Sequence, residues 1–192
     1  RWVRGTWGGV AARAGWAAAA LGVGPGDTVA CVSRPTAVDA VAASLIPLLL
    51  GAAVRMVADP TQATAGLGLA GATVLTATPS AWTGLLASGA LPPSLRLAIA
   101  SGEPLPGQAA ASIAAALPGS AAFLNVYGLT EAAGDSTSAD VRAWLRGAAA
   151  AAASSPASSS SSAPVGWPVA GAVVWVTAQP ADPALPPAAD GQ

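Results

Sequence analysis

Short apolar runs alternate along the chain with alanine-rich stretches, and Gly and Pro punctuate the boundaries. Residues 8–21 set Val10, Arg13 and Trp16 among alanines, the strongest helix formers, and predict a helix. The Gly- and Pro-containing run 22–27 stops it. Residues 28–33, TVACVS, are β-branched and apolar and predict a buried strand. A helix over 37–50 follows, with Pro47 as a kink, then a strand over 53–57. The alternation continues with a strand over 72–76, a helix opened by Pro79-Ser80 and reaching 87, and a strand over 95–100. A helix over 106–117 ends at Pro118-Gly119, and 121–126 reads as another strand. Near the end, VVWVT at 173–177 predicts one more.

Repeated β–α units with nearly continuous apolar strands predict an α/β fold, a mostly parallel sheet flanked by helices. Ligands bind such sheets outside the carboxyl ends of the strands. The loops starting at Ser33, Ala77, Ser101 and Tyr127 are therefore where chemistry is expected. Residues 147–164 break the pattern: six alanines at 148–153 run into SSPASSSSSAP, which reads as a flexible insertion. This divides the chain into a core at 1–146, the insertion at 147–164 and a continuation at 165–192, whose tail is Pro-rich.

Composition narrows the chemistry. Hydrophobic residues make up 53% of the 192, enough for a sizeable core, although small alanines contribute much of that figure. The longest apolar run, 41–54, falls short of the roughly 20 residues a membrane span needs. A lone cysteine, Cys31, sits in an apolar strand and reads as a small buried hydrophobe. There is no signal-peptide pattern, and a cytoplasmic location is expected. All eight cationic side chains are arginines, with neither lysine nor histidine present. That excludes an imidazole base, a His-ligated metal, a Schiff-base lysine or a P-loop lysine within these residues. A net charge of −1 without a basic cluster argues against nucleic acid as partner.

Three segments concentrate what remains. Residues 125–140, NVYGLTEAAGDSTSAD, follow a strand and gather Asn125, Tyr127, Gly128, Thr130, Glu131, Asp135, Ser136 and Thr137. Tyrosine can stack on a base, threonine can donate to a phosphate oxygen, and glutamate can hold Mg²⁺. The same residues also suit a polar loop capping a helix. Residues 95–106, LRLAIASGEPLP, end a strand in Ser101-Gly102-Glu103, where the glycine lets backbone approach a planar ligand. Asp39 stands after a strand, at a helix start, where the helix dipole alone would favour it.

In this order the segments resemble the adenylate-forming enzymes, the superfamily of acyl-CoA synthetases, luciferases and nonribosomal peptide synthetase adenylation domains. The signature N-x-Y-G-x-T-E stands as Asn125 through Glu131, and SGEPLP at 101–106 is similar to the family's G-G-E-x-L-P. TVLTATPSAWTGLL at 73–86 and VGWPVAGAVVWV at 165–176 look like two further family segments. TEAAGDST and PTAVDAVAASLIPLLLGA look most like the branch that activates β-alanine and other amino acids.

The resemblance implies ATP or AMP and Mg²⁺ as ligands, a small carboxylic or amino acid as substrate, and coenzyme A or a phosphopantetheine carrier domain as thiol acceptor. It places Tyr127 on adenine, bordered by Gly102, Glu103 and Pro104, with Asn125 and Gly128 in the same nucleotide site. Thr130 would meet the α-phosphate and Glu131 the metal, both as catalytic residues. Asp39 would hold a substrate amino group, while Ala40, Ala43, Ile99, Ser101, Val126, Gly134 and Asp135 would line the acyl pocket. Asp135, as a second carboxylate, would suit a β- or ω-amino acid. Trp7 stands where the family carries histidine, and Trp167 where it carries arginine. The lysine-bearing phosphate loop would precede Arg1 and the mobile domain with its catalytic lysine would follow Gln192, so the resemblance implies a central fragment, inactive alone. The rival reading is a non-catalytic remnant serving as a structural or nucleotide-binding module. A dinucleotide-binding fold is disfavoured because no G-x-G-x-x-G follows a strand.

Overall fold

The computed structural model describes residues 3–33, 37–57, 67–89, 91–154 and 162–174. Its elements are α1 (Trp7–Leu21), β1 (Thr28–Cys31), α2 (Val38–Leu49), β2 (Ala53–Met56), β3 (Val74–Ala77), α3 (Pro79–Ala87), β4 (Leu97–Ser101), α4 (Gly107–Ala116), β5 (Ala122–Leu129), β6 (Gly134–Asp140), α5 (Val141–Ser154) and β7 (Trp167–Pro168). The strands form one sheet in the order β2-β1-β3-β4-β5-β6-β7. The first five in that order pair in parallel, and β6 and β7 add antiparallel.

Alternate side chains of each strand feed two cores, because successive residues point to opposite faces. On one face Leu75, Ala98 and Phe123 pack against Trp82 of α3, Ile113 of α4 and Val141 of α5. On the other, Val29, Val74, Leu97 and Val126 pack against Trp16 of α1 and Ala40 and Ala43 of α2. Trp82 is fully buried, meets Phe123 edge to face with ring centroids 6.4 Å apart, and donates its indole N–H to the Ile99 carbonyl at 2.9 Å. The chain steps from β1 outward to β2 and then returns to β3 on the other side of β1. That reversal makes a topological switch point between β1 and β3.

The parallel part agrees with the apolar pattern, and the polar segment does not. Residues 134–140 form a strand rather than a capping loop: β5 and β6 make a hairpin closed by the short turn Thr130–Ala132. The alanine tract read as a flexible insertion continues α5 to Ser154, so the boundary placed at 147 falls within a helix. Alanine's helix propensity acts there on a helix already anchored by Arg142, whose guanidinium donates to the Ala121 and Pro118 carbonyls. The last predicted strand, 173–177, is only partly described; Val173 and Val174 are not in a strand, and 175–177 lie outside the described residues.

Candidate active site

Two pockets meet at the carboxyl ends of β4 and β5. Gly102 turns the chain out of β4 at φ +86°, and a Cβ there would stand 3.5 Å from Asp39 Oδ2 and from Thr78 Cγ2. That separation is ordinary contact; it is the left-handed backbone that favours glycine here. The first pocket, about 390 Å³, is bordered by Gly102, Glu103 and Pro104 on one side and by Asn125, Tyr127 and Gly128 on the other. Its outer wall is the segment Ser162–Val165. Asn125 donates from Nδ2 to the Pro164 carbonyl at 2.8 Å, and Ala163 donates its N–H to the Leu105 carbonyl at 2.8 Å, so that wall is pinned from both sides. Tyr127 lines this pocket and remains 45% exposed, within reach of a planar group.

The second pocket, about 250 Å³, adjoins the first along Gly102, Gly128 and Leu129, which line both. Asp39 enters it from the first turn of α2, where the Ala37 cap offers no side chain and the acid complements the helix dipole. Thr130 and Glu131 come from the hairpin turn, and Ser101, Gly134 and Asp135 complete the wall. Ala133, at φ 60°, is the one non-glycine in the left-handed region among the described residues. It caps the Thr130–Ala132 turn, donating its N–H to the Thr130 carbonyl at 3.2 Å.

The Asp135 side chain is engaged differently from the sequence-based expectation, and that of Glu103 serves a neighbouring helix. The Glu103 carboxylate turns to α3, accepting from the Ser80 N–H at 3.1 Å and the Ser80 hydroxyl at 2.8 Å. Asp135 is not a free second carboxylate, because Arg13 of α1 pairs with it at 8% and 12% side-chain exposure. Burial still pushes the Asp135 carboxyl above its ordinary value; the Arg13 guanidinium opposes this, and the Asp39 charge adds to it.

The other expected residues separate. Ala43 and Ile99, with Asp135, line a smaller apolar cavity of about 50 Å³ beneath α2. Ala40 is buried in the core, and Val126 borders the first pocket. Arg13, Leu129 and the 162–165 wall were not anticipated. For Arg13 a signal existed: it is the lone charge in an alanine-rich helix, which implies a buried partner. Trp7 and Trp167 are 80% and 83% exposed and line none of these pockets.

No group of three acidic, His or Cys side chains able to hold a metal alone exists among the described residues. Glu131 instead offers hard oxygen donors at the edge of an open pocket. That donor set fits Mg²⁺, which is commonly held by one or two carboxylates and completes its octahedron with water and substrate phosphates.

The profile of the AMP-binding enzyme family matches residues 9–192. The chain belongs to that family. Solved structures with this fold include the adenylation domain AlmE of Vibrio cholerae in complex with glycyl-adenosine-5′-phosphate, 20% identical, TM-score 0.64, aligned over 71% of this chain and 27% of that one. The nonribosomal peptide synthetase FmoA3 is 21% identical with a TM-score of 0.67, over 84% of this chain and 17% of its own. The O-succinylbenzoate coenzyme A synthetase MenE of Bacillus subtilis, in complex with ATP and magnesium, is 17% identical with a TM-score of 0.63, over 75% and 30%. The chain thus spans less than a third of each of these structures. No match is found among curated proteins. Among the described residues no helix is long and apolar enough to cross a membrane.

Proposed function

We propose that these residues form the nucleotide- and acid-binding part of an enzyme that activates a carboxylic or amino acid with ATP, drawing on the cytoplasmic pool. The observation that carries this is the junction of the two pockets across Gly102, Gly128 and Leu129. An acyl-adenylate has the matching shape, a planar base and a short acid joined through one phosphate. The base lies against Tyr127 and the Gly102–Pro104 backbone, the α-phosphate at the junction beside Thr130, and the acid beside Asp39 and Ser101.

In the reaction a substrate carboxylate oxygen attacks the α-phosphorus, the bond to the bridging oxygen breaks, and pyrophosphate leaves. Bound at Glu131, magnesium would supply charge neutralisation for the phosphates. The Thr130 hydroxyl donates to an α-phosphate oxygen, and Asp39 holds the ammonium of an amino acid so that its carboxylate faces the phosphorus. A thiol, coenzyme A or a phosphopantetheine arm on a carrier domain, then attacks the acyl carbon of the mixed anhydride, the bond to the phosphate oxygen breaks, and AMP leaves. With no lysine among the 192 residues, we expect binding without turnover from this chain alone.

Calorimetry of ATP with and without Mg²⁺ tests the proposal. Binding that Mg²⁺ strengthens, and whose strengthening Glu131→Ala removes, supports it. Absence of any nucleotide signal from the folded chain would favour a remnant with a structural role.

A further inference from the structure

We infer that the Arg13–Asp135 ion pair closes the acid pocket and restricts its substrate to a small, compact acid or amino acid, an inference that rests on the adenylation function proposed above. Among the described residues Asp135 alone lines both the polar pocket holding Asp39 and the apolar cavity beneath α2. Arg13 also lines that cavity, and on its other side the pair borders a separate pocket of about 220 Å³ beside Ala133 and Val169. A substrate side chain growing from the polar pocket toward that cavity therefore meets a buried ion pair before it meets apolar surface.

The pair does not yield easily. Displacing one partner strands the other charge in the interior, which is far more costly than leaving both in place. The backbone is also shaped around it. Gly134 sits at φ +108°, and a Cβ there would come within 1.9 Å of Arg13 Nη1. Arg13 donates in addition to the Ala133 carbonyl at 3.4 Å, tying the guanidinium to the hairpin turn. Because Arg13 already compensates Asp135, recognition of a substrate ammonium is left to Asp39, and a distal amine gains no free partner at Asp135. Behind the pair, Trp16, Ala43, Ile46, Val74 and Ile99 line about 50 Å³. That is roughly a third of an engineered 150 Å³ cavity that admits benzene. Removing the pair would join this space to the polar pocket and make room for a branched aliphatic side chain.

The test uses the full chain and calorimetry with three probes: AMP, and the sulfamoyl-adenosine conjugates of glycine and of leucine. Each conjugate's affinity is read relative to AMP on the same protein. The native chain should bind the glycine conjugate about tenfold or more tightly than the leucine conjugate. The double variant Arg13→Leu/Asp135→Ala, which leaves no stranded charge, should abolish or invert that preference. Equal binding of both conjugates by the native chain, or an unchanged glycine preference in the folded double variant, overturns the inference. Ile46→Val provides an independent check, since it enlarges the cavity while leaving the pair intact: leucine affinity should stay low, and a gain overturns the closure. If AMP itself fails to bind the folded native chain, the adenylation reading fails, and this inference with it.

Discussion

Arg96 grips both carboxylate oxygens of Asp27, Nε on Oδ1 at 2.7 Å and Nη2 on Oδ2 at 2.6 Å, at the amino ends of the strands and opposite the pockets. The same guanidinium donates to the Leu21 and Gly22 carbonyls, closing the end of α1, while the Thr73 hydroxyl donates to Asp27 at 2.7 Å. One ion pair thus ties α1 to β1, β3 and β4.

This cluster should make stability depend on acid. The Arg96 guanidinium, helped by Thr73 and the Gly24 N–H against the cost of burial, holds the Asp27 carboxyl at about 2 instead of its ordinary 3.8. A lowered folded-state value stabilises the fold above the unfolded value, and the gain is lost as pH falls from about 4 toward about 2. The shift corresponds to about 2 kcal/mol, reduced to about 1–2 because Arg96 is 40% exposed and solvent screens the pair. Urea unfolding of Asp27→Asn should therefore show a deficit of that size at pH 7 that shrinks as pH approaches 2. A deficit independent of pH would assign the effect to the hydrogen bonds alone.

Trp82 offers a second test, on the other face. Its ring fills the core between β4 and α3, and its indole N–H satisfies the Ile99 carbonyl two residues before Ser101. Trp82→Phe removes both volume and that donor, and should cost about 2–4 kcal/mol. Thermal unfolding checks the loss. A change below about 0.5 kcal/mol would mean that the site repacks freely.

Glu103 separates a side-chain role from a backbone one. Its carboxylate serves the first turn of α3 through Ser80, whereas the proposed function asks only its backbone to border the nucleotide. Glu103→Ala should lower stability by about 0.5–1 kcal/mol through the lost anion at a helix N-terminus. AMP affinity should change less than about twofold, roughly 0.4 kcal/mol. A large loss of AMP binding, measured by calorimetry on folded protein, would place the carboxylate in the nucleotide site instead.

The sequence made the parallel sheet legible because both of its faces are covered. Strands such as Leu97–Ser101, buried at every position, read as continuous apolar runs, and Gly and Pro mark their ends. β6 escaped because its residues, GDSTSAD, carry no apolar alternation; pairing with β5 makes it a strand. α5 escaped because a tract of alanine and serine looks like a linker until Val141 and Trp144 dock it on the core. In the site, Tyr127, Thr130 and Glu131 were recognisable as a motif. The partner of Asp135 was not, because Arg13 lies 122 positions away and only the tertiary fold brings α1 to the hairpin.

Gly128 carries the last prediction. The β5–β6 pairing slips between Tyr127 and Gly128, and a Cβ on Gly128 would come within 1.9 Å of the Gly134 carbonyl oxygen. The obstacle is backbone, not a flexible side chain, so the hairpin itself must open to admit a methyl group. Gly128→Ala should therefore cost more than the roughly 1–3 kcal/mol of ordinary overpacking and loosen β6 selectively. Since β6 carries Asp135 and the turn before it carries Thr130 and Glu131, nucleotide binding should fall together with the hairpin. Amide hydrogen exchange reads this directly: protection should drop in 124–140 while 97–101 stays protected. Uniform loss across the sheet would mean that the glycine supports the whole fold, and unchanged protection would mean that the bulge accommodates the methyl.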